Sequence, residues 1–204
     1  MTALLFATLL SLPIYPLNPV LEDTVNNVNL HLTAGFNGPG SVVSTGPELT
    51  VKYEWMVHHP FIVRAAFDYR YGTVRSVVYP DGDLHRGQLS LEVLYYRGTK
   101  KLMGYIGAGA VYSLNKFSLA DTDTDSLYTN YEITDVNISN VPGYRITVGL
   151  RIHSVYSIEI GLTDTRPSYV YTRQYSPTRF GISSKQFRSN DFRISFGYLF
   201  HLSL

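Results

Sequence analysis

From Val28 to Leu202 the chain alternates apolar and polar side chains in eight runs of about ten residues, each closed by turn-forming residues. The last run is the plainest. Phe192, Ile194, Phe196, Tyr198, Phe200 and Leu202 share one parity, and Arg193, Ser195, Gly197 and Leu199 share the other. A period of two belongs to a β-strand, whose successive side chains point to opposite faces of a sheet. The first run behaves alike, with Val28, Leu30, Leu32, Ala34 and Phe36 opposing Asn29, His31, Thr33 and Gly35. Between them the pattern predicts strands near 48–57, 61–72, 87–97, 102–113, 143–153 and 156–165. The fold class expected is all-β: an eight-stranded, antiparallel, up-and-down transmembrane β-barrel with both chain ends on one side.

Bulk and charge decide which face points inward. The apolar parity carries Tyr53, Trp55, Phe61, Phe67, Tyr69, Tyr71, Tyr95, Tyr112, Tyr144, Phe196, Tyr198 and Phe200. An eight-stranded interior is only wide enough for ordinary side chains, so these rings must face lipid. The polar parity mixes Gly35, Gly107, Gly109, Gly149, Gly161 and Gly197 with long charged residues, a combination that interdigitates in a narrow lumen. The inward charges expected are Lys52, Arg64, Arg70, Arg145, Arg151 and Arg193 against Glu54, Asp68, Glu92 and Glu159. Opposite charges inside a low-dielectric wall pair, which predicts a plug rather than an open pore.

Connection lengths give an independent check. Turns around His58–Pro60, Gly98–Lys101 and Ser154–Val155 are short, and connections near 37–47, 73–86, 114–142 and 166–190 are long, in strict alternation. Outer-membrane barrels keep short turns in the periplasm, so both termini are expected there, in a Gram-negative outer membrane. The aromatics then fall into two girdles, Trp55, Phe61, Tyr95, Tyr156, Tyr198 and Phe200 on the inner side and Tyr69, Tyr71, Tyr112 and Tyr144 on the outer.

Composition narrows the rest. With 204 residues, 14% of them aromatic and 17 tyrosines, the chain suits one strand-rich domain, expected over 17–204. Residues 1–16, MTALLFATLLSLPIYP, resemble a secretory signal peptide, though no Lys or Arg precedes the apolar run and no A-x-A site follows it. That run is too short to span a bilayer as a helix. The absence of cysteine excludes disulfides, thiolate chemistry and a lipoprotein anchor. A formal net charge of +1 gives no electrostatic case for nucleic acid.

The runs GPELTVKYEW from Gly46, HPFIVRAAFDY from His59, YIGAGAVY from Tyr105, YSIEIGL from Tyr156 and FRISFGYLF from Phe192 make the chain resemble the small outer-membrane β-barrel family that includes the OmpA transmembrane domain, OmpX and the opacity-type proteins. The resemblance covers nearly all of the mature chain. It implies outer-membrane lipid and lipopolysaccharide as surroundings, and the barrel assembly machinery as a partner of the last strand. It also implies a host or surface ligand for the loops. Here Phe200 is followed by His201, Leu202, Ser203 and Leu204, a departure from the family's terminal aromatic. A monomer is expected, with no cofactor and no metal.

Activity is less legible, because one barrel scaffold carries unrelated functions. Lipid A-modifying barrels use His and Ser with a nearby acid to act on an acyl ester. His201 and Ser203 share a face but lack an acidic orienter, His153 and Ser154 point to opposite faces, and His31 is followed by Thr33 on the inward face. His85, with Asp81, Asp83 and Ser76, forms a polar outer cluster that hydration explains equally well. The acidic run Asp121-Thr122-Asp123-Thr124-Asp125 lacks the glycine and the later bidentate Glu of a calcium loop, and His58-His59 offers too few ligands for a metal. The last long connection carries Arg166, Arg173, Arg179, Lys185 and Arg188 among Tyr169, Tyr171, Tyr175 and Phe180. Those cations suit lipopolysaccharide phosphates, and equally suit pairing with the acidic third connection to cap the barrel. The expected function is a non-catalytic structural, adhesive or recognition barrel; the alternatives are a lipid A acyl hydrolase or transferase and a narrow small-solute channel.

Overall fold

A computed structural model describes residues 28–37, 46–58, 60–74, 82–99, 101–119 and 132–202. Eight strands close into one barrel: β1 (Val28–Asn37), β2 (Gly46–His58), β3 (Phe61–Val74), β4 (Gly82–Gly98), β5 (Leu102–Leu119), β7 (Val141–Ile152), β8 (Tyr156–Thr165) and β11 (Ser189–Leu202). Every neighbouring pair is antiparallel, and β1 meets β11 from Val28↔Leu202 to Asn37↔Arg193, which seals the wall. The alternation of the sequence is thus realised as a cylinder, with one parity facing in and the other out.

The remaining strands, β6 (Glu132–Ile138), β9 (Ser168–Ser176) and β10 (Arg179–Gln186), form a second sheet in the order β10-β9-β6. The stretches 114–142 and 166–190, expected to be simple connections, therefore hold structure of their own. Their strands are short, and register shifts break them between Ile133 and Asp135 and between Arg179 and Phe180. Each interruption resets the alternation, which hid these strands in the sequence. The wall strands also run further than expected on this side. β4 has 17 residues and β5 has 18, well beyond the roughly 9–11 that cross a bilayer.

The protruding ends of β3, β4 and β5 give the second sheet something to pack on. Val74 and Leu84 join Val136, Ile138, Tyr169, Tyr171 and Phe187 in a small apolar core, flanked by Phe117, Leu119 and Ile133. Tyr169 and Tyr171, whose place among the cations of the last long connection suits a lipopolysaccharide interface, are instead buried here at 1% and 8% exposure. Backbone bonds tie this cap to the rim, from Ser139 N to Ser168 O at 2.9 Å and from Phe187 N to Pro167 O at 3.1 Å.

At the opposite end the turns are tight. His153 and Ser154, placed in the sequence at the end of a strand and the start of a turn, both have positive φ (54° and 56°) and are bridged by a bond from Val155 N to Ile152 O. Two left-handed central residues make a type I′ hairpin, whose twist matches the strands it joins. The expected signal segment 1–16, the acidic run 121–125, His59 and Ser203 lie outside the described residues.

Closure leaves no wall strand with an unpaired edge, so the folded protein is expected to resist SDS until boiled. Unboiled and boiled samples should run at different positions on a gel. Equal mobility of a properly refolded sample would contradict a closed wall.

Candidate functional site

The outer wall is the simplest surface. Leu49, Phe67, Leu89, Leu91, Val93, Ile146, Leu162 and Phe196 are all exposed, as are Trp55, Phe61, Tyr95, Tyr156, Tyr198 and Phe200 toward the short turns and Tyr69, Tyr71, Tyr112 and Tyr144 toward the cap. Neighbouring rings touch across strands, Phe61 with Tyr95 at 5.7 Å and Tyr156 with Tyr198 at 5.7 Å between centroids. From Phe61 to Tyr71 the outward face of β3 covers roughly 33 Å of strand at about 3.3 Å per residue. Tilted at about 40°, that is close to 25 Å of height, the thickness of a barrel's hydrocarbon band. A continuous apolar band of this height has no reason to stay in water.

Inside, the charged residues pair into a central lattice and a smaller group at the cap end. Arg151 bonds Glu54; Glu54 meets Arg64 at 2.8 Å; Arg64 reaches Glu159 at 2.6 Å. Glu159 also takes Lys52 at 2.9 Å and Arg193 at 2.5 Å, and Arg193 continues to Asp68 at 2.8 Å and Glu48 at 3.3 Å. Asp68 passes to Arg145 at 2.5 Å, which lies 3.6 Å from Glu92. A second group at the cap end joins Arg70 and Arg86 through Asp191, at 3.0 and 2.7 Å. Seven cations thus face six anions, and every one is buried. Near-neutrality is what makes the burial tolerable, since an unpaired ion there would cost several kcal/mol.

Glu159 is the hub. It projects from β8 and receives Lys52 from β2, Arg64 from β3, Arg193 from β11 and, at 2.8 Å, the hydroxyl of Tyr105 from β5. One carboxylate therefore ties together both sides of the cylinder. Smaller polar groups fill remaining valences: Thr147 and Ser90 donate to Glu92 at 2.8 and 3.1 Å, and Gln88 accepts from Arg145 at 2.8 Å.

Both ends of the lumen are stoppered. Toward the short turns, Ile62, Leu94, Tyr96 and Tyr105 make an apolar plug, with Tyr96 and Tyr105 stacked at 5.0 Å and the Arg151 guanidinium 4.7 Å from the Tyr96 centroid. Gly149 makes room for it, because a Cβ there would stand 2.3 Å from Cζ of Tyr105. Toward the cap, Arg86 donates to Asn115 at 2.8 Å, Ser189 at 3.0 Å and Asp191 at 2.7 Å. Asn115 in turn donates to the Ser139 carbonyl at 2.8 Å, which links the plug to the cap.

The ten lumen charges expected from sequence thus all sit in these two groups, Arg70 in the one at the cap end. Glu48, Arg86 and Asp191 join them without having been singled out, although parity marks them: Glu48 shares the face of Lys52, Arg86 that of Glu92, and Asp191 that of Arg193. Tyr96 and Tyr105 are buried in the lumen, against the expectation that aromatic rings face lipid.

The sequence also gave no sign of the serine–histidine contact, which joins Ser157 Oγ to His31 Nε2 at 2.6 Å across 126 positions. Both residues are buried, and a Cβ at Gly197 would lie 2.5 Å from that same His31 nitrogen. Among the described residues no carboxylate bonds His31 Nδ1, so the pair lacks the acidic orienter of a hydrolytic triad. On the outer wall, the Nδ1 of His85 is engaged by the Tyr69 hydroxyl at 2.7 Å, and its ring lies 5.1 Å from that of Tyr71. Ser76 and Asp81 lie outside the described residues.

The five basic residues of the last long connection separate into two groups. Arg166 and Arg188 sit at the rim, where Asp164 accepts from Arg188 Nε at 2.9 Å and from the Tyr144 hydroxyl at 2.7 Å. Arg173, Arg179 and Lys185 stand on the β9–β10 hairpin. Arg173 packs over Tyr171 at 5.0 Å and Arg179 over Tyr175 at 5.7 Å. At roughly 3.3 Å per residue, the nine residues of β9 carry the hairpin tip about 30 Å along the chain from the rim.

No family model matches the sequence, and no curated protein is significantly similar to it. Among solved structures the fold is similar to the outer membrane protein OprG from Pseudomonas aeruginosa, at 14% identity, covering 86% of this chain and 96% of that one with a TM-score of 0.62. It is also similar to the outer membrane protein AlkL, at 15% identity, 88% and 93% coverage and a TM-score of 0.52. A major outer membrane protein from Thermus thermophilus aligns at 14% identity, over 85% and 98%, with a TM-score of 0.49.

Because Glu159 compensates three cations, Glu159→Gln should cost about 3–5 kcal/mol while preserving side-chain size. Urea unfolding of the lipid-refolded protein measures this. A loss below about 1 kcal/mol, the range of an exposed pair, would mean that the hub is dispensable.

Proposed function

The chain has the fold of the small eight-stranded outer-membrane barrels, and from that premise we propose a non-catalytic outer-membrane protein whose work is done by its cap. The observation that carries this reading is the filled lumen. Among the described residues an ion-paired lattice, with apolar and arginine stoppers at its two ends, fills the lumen, which suits an anchor better than a conduit. The long connections, in contrast, are invested in a second sheet with its own apolar core. A structured element held above a membrane by an inert anchor suits surface recognition or adhesion.

In this reading the short turns and both termini are periplasmic, β11 engages the barrel assembly machinery, and the protein works as a monomer. The apolar band meets lipid tails. Arg166 and Arg188, at the rim beside Tyr144, stand level with lipopolysaccharide phosphates, for which a guanidinium is well suited.

Three measurements test the proposal. Planar bilayers containing the wild-type protein should show no steady single-channel current, and large sustained currents would favour the channel instead. Arg166→Gln with Arg188→Gln should weaken binding of purified lipopolysaccharide several-fold at low salt and lessen its salt dependence. Unchanged binding removes the rim from glycolipid recognition. Lipid A mass spectra from cells with and without the protein should be identical; a changed acyl pattern would establish an enzyme.

A further inference from the structure

The β9–β10 hairpin has features that neither the barrel nor the cap core explains. β10 ends the sheet, and among the described residues no strand pairs with its outer side. Its alternate backbone N–H and C=O groups therefore point away from β9, in a row eight residues long. Natural edges of this kind are usually blunted by proline, by charges within the strand or by covering segments. The middle of β10, Phe180-Gly181-Ile182-Ser183-Ser184, carries no charge and no proline. Ile182 is 76% exposed and Phe180 57%, beside each other on one face.

We propose that the outer edge of β10 is a strand-addition site for an acidic extended peptide of a partner protein. This rests on reading the cap as the recognition surface. Charge selects the occupant. From Ser168 to Gln186 the hairpin holds Arg173, Arg179 and Lys185 and no acidic residue. The acidic residues of this sheet, Glu132 and Asp135, both stand on β6, which β9 separates from β10. Arg179 is held by its stacking on Tyr175, so part of its ordering cost is met before a ligand arrives.

A second copy of this chain fits poorly. Antiparallel pairing of two β10 edges about Ile182 sets Arg179 opposite the partner's Lys185, and like charges directly opposite are destabilising. A peptide reverses that sign. Arg179, Gly181, Ser183 and Lys185 share one face of β10, and Phe180, Ile182 and Ser184 share the other. The complement is a strand with acidic residues six positions apart, and apolar residues at alternate positions on the opposite face. Backbone bonds would supply affinity, and the two faces would supply selectivity.

The probe is the synthetic peptide Thr-Glu-Val-Thr-Val-Thr-Val-Glu-Thr, whose symmetry serves either strand direction. It is titrated against the full chain refolded in nanodiscs. It should bind at least tenfold more tightly than the version with Lys for both Glu, and should protect amides of 179–186 from hydrogen exchange. N-methylation of alternate peptide amides, at odd or at even positions, should abolish binding in the set that faces β10. The variant Arg179→Glu with Lys185→Glu should reverse the preference in favour of the Lys peptide, with the gel shift on boiling retained as proof of a folded barrel. Absence of binding overturns the proposal, and so does binding indifferent to both N-methylated sets, which would be charge contact without strand addition. Protection of 179–186 by dispersed lipopolysaccharide but not by the peptide also overturns it, and makes the hairpin a glycolipid site. Loss of lipopolysaccharide binding in the rim variant leaves this outcome untouched, so the two readings fail separately.

Discussion

A carboxylate buried at the centre of a narrow cylinder has to be met by cations from several directions, and Glu159 is met from β2, β3 and β11. That requirement governs the rest of the structure. Each cation brought in to satisfy Glu159 needs further anions, and these are Glu54 for Arg64 and Asp68 with Glu48 for Arg193. The lattice grows outward until its charges nearly balance. Removing one partner strands the others, so the lattice is demanding in composition even if an apolar core of equal volume could be as stable. Its gain is a specific register. A one-residue slip of β8 would turn Glu159 into the lipid and bring apolar side chains inward.

Volume is managed by the same alternation. Large lumen side chains need neighbours that yield space, and glycine supplies it where contact is closest. Gly149 faces the Tyr105 ring, and a Cβ at Gly161 would come within 2.7 Å of Nε of Arg193. The bulk excluded from the lumen is displayed outside as the apolar band and its rings. Inner plug and outer belt are thus two consequences of one period-two sequence on a cylinder of fixed radius.

The cap obeys different physics. Above the membrane the long strands β4 and β5 have lost their lipid, and their exposed apolar ends are covered by β6 and β9 through Tyr169, Tyr171 and Val136. What extends beyond that core is a hairpin whose outer strand pairs with no other among the described residues and which carries a single sign of charge. The ion-paired lumen and closed wall are thus physically separate from the hairpin, which contributes no residue to either.

The sequence by itself determined the barrel. Strict alternation over eight runs dictates eight strands, and ring bulk dictates which parity faces lipid; alternating connection lengths dictate the up-and-down order. The inward position of Glu159, Arg64 and the other charged residues follows from the same parity, because it depends only on whether a residue is an even or odd step along its strand. Pairing does not. Which cation reaches Glu159 depends on strand tilt, on the stagger around the cylinder and on side-chain length across the lumen, none of which parity encodes. The contact between Ser157 and His31 arises in the same way. The cap was illegible for a further reason: its strands are too short and too often interrupted to keep a period, and they become strands only because β3, β4 and β5 offer an apolar surface to lie on. Tyr169 and Tyr171 look interfacial in a list of residues and are core in the fold, since burial is decided by what packs above a side chain and not by the side chain itself.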